Sequence, residues 1–217
     1  MVGAIHLIRH GQASWGAADY DQLSDLGGEQ GSLLGTSWEA SGWAPTHCVA
    51  GSLRRHAQTA IATIDACGQG DGYDVDAGWD EYDISGLQQA IAEQAGGRTL
   101  EPKEFQPLLD AALQRWVAGD DTMGSSFTQW SGAVLGALGS AVERAGRSGE
   151  QVAVFTSGGP IGFVASHLLA GDASLFIRLN AVVVNTSVTT VIVGSGGPRL
   201  LTFNEHGHLP RDRVSFR

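Results

Sequence analysis

Three short stretches carry side chains suited to chemistry: Arg9-His10-Gly11, Ser52-Leu53-Arg54-Arg55 and Thr156-Ser157-Gly158-Gly159. Arginine suits a tetrahedral oxyanion because its planar fork meets two oxygens at once. Arg9 and Arg55 together would form such a clamp. A helix opening beside Arg55 would add free N–H groups and a partial positive charge. His10 sits within this set. Neighbouring guanidiniums depress an imidazole's pKa and keep it neutral, hence nucleophilic toward a bound phosphoryl group. The plain alternative is two surface or salt-bridging arginines and a turn histidine. Ser157 is open to four readings: a nucleophile, a ligand contact, a helix cap, or the remnant of a stronger group.

These residues need elements that bring them to one place. "VGAIHLIRH" reads as a buried parallel strand ending in charge. A loop follows, and Ser24 caps a helix that starts at Asp25, with Leu26, Leu33, Leu34 and Trp38 as its buried stripe. "THCVAGS" reads as a second strand, feeding a helix whose apolar positions are Leu53, Ala57, Ala60, Ile61 and Ile64. "YDVDAGWDEYD" is a short strand plus loop. From Ser85 to Gly149 no strand-like run occurs. One helix there carries Phe105, Leu108, Leu109, Ala112, Leu113 and Trp116. Another carries Phe127, Trp130, Val134, Leu138, Val142 and Ala145. Alternation then resumes with strand "QVAVFT", a helix from Ile161 to Ala170, and strands "VTTVIVG" and "RLLTFN".

The pattern predicts an α/β fold: a three-layer αβα sandwich with a mostly parallel central sheet and a helical cap insertion. It predicts one domain over residues 1–217, with its core at 1–84 and 150–217 and the cap at 85–149. Ligands of such sheets lie at the carboxyl ends of the strands, which is where the three stretches fall.

Composition narrows the partners. The net charge is −10, from 13 Lys and Arg against 23 Asp and Glu, so nucleic acid and anionic membranes are disfavoured. No run is long and apolar enough to span a bilayer, and the N-terminus has no basic leader followed by an apolar stretch. Cys48 and Cys67 read as two buried thiols rather than a bridge, which suits a cytoplasmic location. His206 and His208 form an "HGH" pair without a third ligand in view, so neither a metal nor a cofactor is expected.

"LIRHGQAS" followed by "GSLRRHAQTA" resembles the histidine phosphatase superfamily, also called the phosphoglycerate mutase-like proteins. Its first motif is Arg-His-Gly-Glu/Gln and its second approximately Ser-Pro-Leu-x-Arg-Ala-x-Gln-Thr-Ala. Leu53, Arg55, Gln58, Thr59 and Ala60 match the second in register, which selects Arg55 over Arg54. Gly51 and Ser52 stand where Ser-Pro is usual, and His56 replaces Ala. "LSDLGGEQ", "WDEYD", "NTSVT" and "FNEHGHL" resemble further segments of the family. The resemblance implies a phosphatase acting on a small phosphorylated substrate. His10 would become a phosphohistidine, with Arg9 and Arg55 on the phosphoryl oxygens. Glu81 would be the proton donor and then the base, with Asp80 and Asp83 competing for that role.

One position departs from the family where it matters. "TSGG" aligns with a Ser-His-Gly-Gly-type turn, so Ser157 occupies the place of the family's second pocket histidine. A charge-assisted hydrogen bond is worth about 1.5–3 kcal/mol and a neutral one about 0.5–1.5. The difference predicts a rate about 10–100-fold lower if nothing compensates. The N–H groups of Gly158 and Gly159 are candidates to compensate. His6 and His167 lie too far along their elements. His56 follows Arg55 on a helix and should point about 100° away, at the rim of the site. His47 reads as structural.

Three other readings remain. A phosphate-binding relative with weakened or lost turnover is favoured by Ser157 alone. A mutase calls for extra cations, yet Arg98, Lys103, Arg115, Arg144 and Arg147 in the insertion are outnumbered by acids. A serine nucleophile elbow is only half present, since Phe155 stands where its first glycine belongs.

Overall fold

The computed structural model describes residues 2–14, 21–68, 72–83, 102–120, 126–147 and 149–216. Residues 84–101, the start of the predicted insertion, lie outside the described residues, as does the side chain of Phe105.

The strands are β1 (Gly3–Arg9), β2 (His47–Ala50), β3 (Asp74–Val75), β4 (Gln151–Thr156), β5 (Val188–Gly194) and β6 (Gly197–Glu205). They form one sheet in the order β3-β2-β4-β1-β5-β6. β3, β2, β4 and β1 run parallel, and β5 and β6 add an antiparallel edge. The helices are α1 (Asp25–Ser41), α2 (Arg54–Ala66), α3 (Pro102–Val117), α4 (Phe127–Ala145), α5 (Gly158–Ala170) and the short α6 (Phe176–Asn180). Ser24 caps α1 as its sequence suggests, with its hydroxyl accepting from the Gly27 N–H.

The period-2 alternation of β1 and β4 splits the core into two layers. Ile8, Ala153 and Phe155 face Leu34 and Trp38 of α1 and Ala60 and Ile64 of α2. Ile5, Leu7, Val152 and Val154 face Val134, Leu138 and Ala141 of α4 and Ile161 and Val164 of α5. α4 falls within the stretch read as the insertion, and its buried face lies directly on the sheet. Cys48 and Cys67 are both free and buried.

The helical period of α2 agrees with the sequence reading, and Ala60 and Ile64 are buried as read. Ile61 is 49% exposed. The rest of the buried face is polar: Arg55, His56, Thr59 and Thr63. Thr59 and His56 are polar where they meet Gly11 and Ser157 at the strand ends, and Thr63 donates to Gly31 O of α1 (3.0 Å).

Register then sets the level of the site. Arg9 pairs with Thr156, and Ala50 pairs with Phe155. The next residues continue the ladder: His10 N–H donates to Thr156 O (2.8 Å) and Gly51 N–H to Phe155 O (3.0 Å). His10, Gly51 and Ser157 therefore leave the sheet side by side.

The turn after β1 packs backbone to backbone on the start of α1. A Cβ at Gly27 would come within 2.2 Å of Gln12 O, whereas one at Gly28 would meet nothing within 4 Å. Adjacent glycines should therefore respond oppositely. Gly27→Ala is expected to cost about 1–3 kcal/mol of stability by overpacking. Gly28→Ala is expected to gain about 0.5–1 kcal/mol, because it lowers the entropy of the unfolded chain. Urea unfolding of the two variants checks this, and equal midpoints would contradict it.

Candidate active site

His10 is the centre of the site and only 5% exposed. Its Nδ1 lies 2.7 Å from Gly11 O. A carbonyl can only accept, so Nδ1 carries the proton and Nε2 presents its lone pair. Burial, then Arg55, Arg9 and His56, hold its pKa well below the usual histidine value. The imidazole is thus neutral and oriented before any ligand arrives.

Its support comes from four directions. Gly11 N–H donates to Thr59 Oγ1 (3.0 Å), and that hydroxyl donates to Arg55 O (2.7 Å). Asn185 Nδ2 donates to His10 O (2.9 Å). Gln12 N–H donates to Gln30 Oε1 (2.9 Å), and Leu23 N–H to Gln58 Oε1 (2.8 Å). A side chain at Gly11 would fall within 2.3 Å of Gly27 O, so the loop can approach α1 only without one. Thr59 and Gln58 belong to "RHAQTA", and Gly27 and Gln30 to "LSDLGGEQ". Those segments therefore hold the loop that carries His10. Asn185, in "NTSVT", is a supporting residue that no period or charge in the sequence singles out.

Two arginines flank the imidazole. Arg55 is buried, and its Nη1 donates to Asp21 Oδ1 (2.7 Å). Arg9 Nη1 donates to Val183 O and to Phe216 O (2.8 Å to the latter). The opening of α2 differs from expectation. Ser52 N–H donates to Asp80 Oδ1 (2.6 Å), and Arg54 N–H to Asp21 Oδ2 (2.8 Å). Carboxylates of the protein thus hold amide groups there that the sequence suggested for an anion. Arg54 itself is exposed.

Glu81 lies within the electrostatic reach of Arg55 and Arg9. Its carboxylate accepts from Gly159 N–H (3.2 Å) and Tyr82 N–H (3.2 Å). A Cβ at Gly159 would sit 1.9 Å from Glu81 Oε1, so this glycine makes the space. The Gly159 amide is therefore engaged by Glu81. Burial raises the Glu81 pKa against the opposing pull of Arg55, Arg9 and the two amides. Tyr82 anchors an aromatic wall of Trp116, Trp130 and Phe176 behind it. Asp80 instead binds Ser52 through both carboxylate oxygens, and Asp83 is exposed. Gly158 lies against Arg9, its Cβ position 3.7 Å from Arg9 Nε.

Ser157 and His56 are both fully buried, and His56 Nε2 lies 2.7 Å from Ser157 Oγ. The His56 ring centroid is 5.8 Å from that of His10. This corrects the rim position expected for His56. Ser157 precedes α5 but makes no side-chain cap bond, which removes the helix-cap reading. His6 bonds Gln151, and His47 lies by Asp74 and Arg144. His167 stands in the last turn of α5 and His206 bonds Asn204 O. His208 Nε2 is 3.1 Å from Thr186 Oγ1, whose N–H donates to Arg9 O. Among the described residues no group of three His, Cys, Asp or Glu could hold a metal, and no helix is long and apolar enough to cross a membrane.

Comparison with known proteins gives the chain's family and fold. The model of the histidine phosphatase superfamily (branch 1) matches residues 5–206. Similar solved structures include a phosphoglycerate mutase from Bacillus anthracis (18% identity, 95% of each chain, TM-score 0.67). A phosphoserine phosphatase from Entamoeba histolytica, solved with phosphoserine, is 18% identical over 95% of this chain and 99% of that one (TM-score 0.63). A mycobacterial glucosyl-3-phosphoglycerate phosphatase is 20% identical over 93% and 98% (TM-score 0.62). No curated protein matches the chain.

The buried histidines make a pH prediction. His10, His56 (about 3) and His208 (about 4) all lie below the ordinary 6.5, with burial the largest cause in each. Between 6.5 and those values the unfolded chain binds more protons than the folded one. Their contribution to stability is therefore full above pH 6.5 and lost as pH falls toward the folded-state values, at no more than about 1.4 kcal/mol per pH unit for each group. Thermal unfolding from pH 7 to 4 should show this loss, with a shallower slope in His208→Gln. Parallel curves for the two proteins would contradict the assignment to His208.

Proposed function

The chain belongs to the histidine phosphatase superfamily, branch 1, and from that premise we propose that it hydrolyses a small phosphorylated molecule through a phosphohistidine on His10. The observation that carries this reading is the Nδ1–Gly11 O bond, which leaves Nε2 of a neutral imidazole as the available nucleophile.

Phosphoryl transfer demands positioning and charge neutralisation more than covalent chemistry. Arg9 and Arg55 supply the positive charge in a chain that is otherwise acidic. Nε2 attacks phosphorus in line with the leaving oxygen. Glu81, whose pKa burial raises against the pull of Arg55 and Arg9, delivers a proton to that oxygen from its acid form. Now ionised, it takes a proton from water, and the resulting hydroxide equivalent attacks phosphorus and frees His10. The phosphoserine bound in one relative and the glucosyl-3-phosphoglycerate named for another support a small organic phosphate as the substrate class.

A second reading rests on Ser157: a relative that binds phosphate without turnover. The two differ in one assay. With p-nitrophenyl phosphate, the wild type should turn over. His10→Ala should lose at least about 10³-fold in kcat, and Glu81→Gln about 10²–10⁴-fold. Both variants should still bind inorganic phosphate. The alkaline fall in kcat, as Glu81 loses its proton above its raised pKa, should vanish in Glu81→Gln. Full activity in His10→Ala would refute the mechanism. Phosphate binding by an inert wild type would select the second reading.

A further inference from the structure

Ser157 and His56 form a buried pair 2.7 Å apart beside His10. Behind the pair stands Asp80, whose Oδ1 is 3.7 Å from His56 Nδ1. His56 Nδ1 is buried and makes no hydrogen bond. Burying a polar atom without a partner is costly, so such an atom in a native site asks for a reason. Gly51 belongs to the same cluster. A Cβ there would fall 2.3 Å from His56 Nδ1 and 2.7 Å from Asp80 Oδ1. Only glycine at this position lets the imidazole and the carboxylate face each other. Three residues from three elements are therefore fitted to one contact: Gly51 after β2, His56 on α2 and Ser157 after β4.

We propose that His56 is a positioning residue for phosphoryl transfer, working through the Ser157 hydroxyl as a proton relay backed by Asp80. This rests on the phosphatase reading above. In the empty site the Asp80 carboxylate favours the proton on Nδ1, so Ser157 O–H donates to Nε2 and its lone pairs face outward. A phosphate monoester near its second pKa, about 6, carries one proton on a phosphoryl oxygen. That O–H bond breaks as the proton passes to Ser157 Oγ, while the hydroxyl's own proton passes to His56 Nε2. The phosphoryl group is left as the dianion. Ser157 O–H now points at it, and an imidazolium lies between Ser157 and Asp80. No proton is gained or lost overall, and no other reactant is needed.

The charged and titratable groups facing His56 are Asp80 from the loop after β3, Arg55 from its own helix and His10 from the end of β1. Burial and then Arg55 keep the imidazole neutral when the site is empty. A bound dianion reverses the field it feels, and Asp80 completes the pair. The hydroxyl thereby gains the charge assistance that a lone serine lacks. Ser157 is not placed as a nucleophile. Its backbone is ordinary extended chain (φ −117°, ψ 172°), not a strained elbow, and the Asp80 contact is longer than a hydrogen bond.

The test uses the full chain in two arms. With p-nitrophenyl phosphate, His56→Ala and Ser157→Ala should each lose about 10–100-fold in kcat, and the double variant no more than the worse single one. His56→Gln keeps a hydrogen bond to Ser157 but cannot carry the proton, so it should fare like His56→Ala. Gly51→Ala, which alters no relay group, should lose activity by displacing His56. His56→Ala combined with Ser157→His, which moves the imidazole to the turn, should recover most of the lost kcat. In the second arm, inorganic vanadate is added to ¹⁵N-histidine-labelled protein. The His56 ring nitrogens should move from neutral to imidazolium shifts. Wild-type kcat in His56→Gln, or a His56 that stays neutral with vanadate bound, would overturn the relay. The vanadate arm reads the relay even if the wild type proves inert, so failure of the phosphatase reading remains a separate result.

Discussion

The hydrogen bond from His10 Nδ1 to Gly11 O is the contact on which the rest of the site depends. It is made within two residues of chain, yet it holds only if Gly11 is fixed. Thr59 fixes the Gly11 amide from α2, and Gly27 admits the loop against α1. The register of β1 with β4 fixes the height at which His10 leaves the sheet. If any of these gave way, the ring could turn or take the other tautomer, and the lone pair would no longer be presented at Nε2. A neutral, correctly protonated imidazole is thus a property of the whole end of the sheet.

Charge is arranged around that ring with economy. The chain is strongly acidic, but Arg9 and Arg55 are held where their fields reach both His10 and Glu81. The same two cations lower both pKa values, with a different consequence for each residue. They help to keep His10 unprotonated, and they restrain the rise that burial imposes on Glu81. Asp21 and Asp80 tie down the opening of α2. That contact fixes the helix bearing Arg55 and His56 with protein carboxylates, so its rotation does not wait on a ligand.

Much of this was legible in the sequence. Alternating apolar runs gave the sandwich, and strand ends rich in Arg, His and Gly gave the face where chemistry sits. The preference for Glu81 over Asp80 and Asp83 as the proposed acid is not fixed by residue type. It rests on which carboxylate meets the Gly159 amide beside Ser157. The 100° step from Arg55 to His56 does not take His56 to the rim, because both residues lie on the buried face of α2. Apolar positions identify Ala60 and Ile64 on the inward face of α2 but not its polar part, Arg55, His56, Thr59 and Thr63. An apolar-stripe argument assumes that buried means greasy, and it fails where a helix faces a polar pocket. The glycine at position 51 was readable only as a departure from a pattern. Its meaning appears when a side chain there is seen to strike the His56 ring.

The most direct test of the account is to locate the transferred phosphorus. The enzyme would be mixed with a ³²P-labelled phosphate monoester, quenched in alkali within milliseconds, and digested for mass spectrometry and ³¹P NMR. The geometry predicts label on His10, attached at Nε2, because Nδ1 is committed to Gly11 O. Label on Nδ1 of His10, or on Ser157, would contradict it.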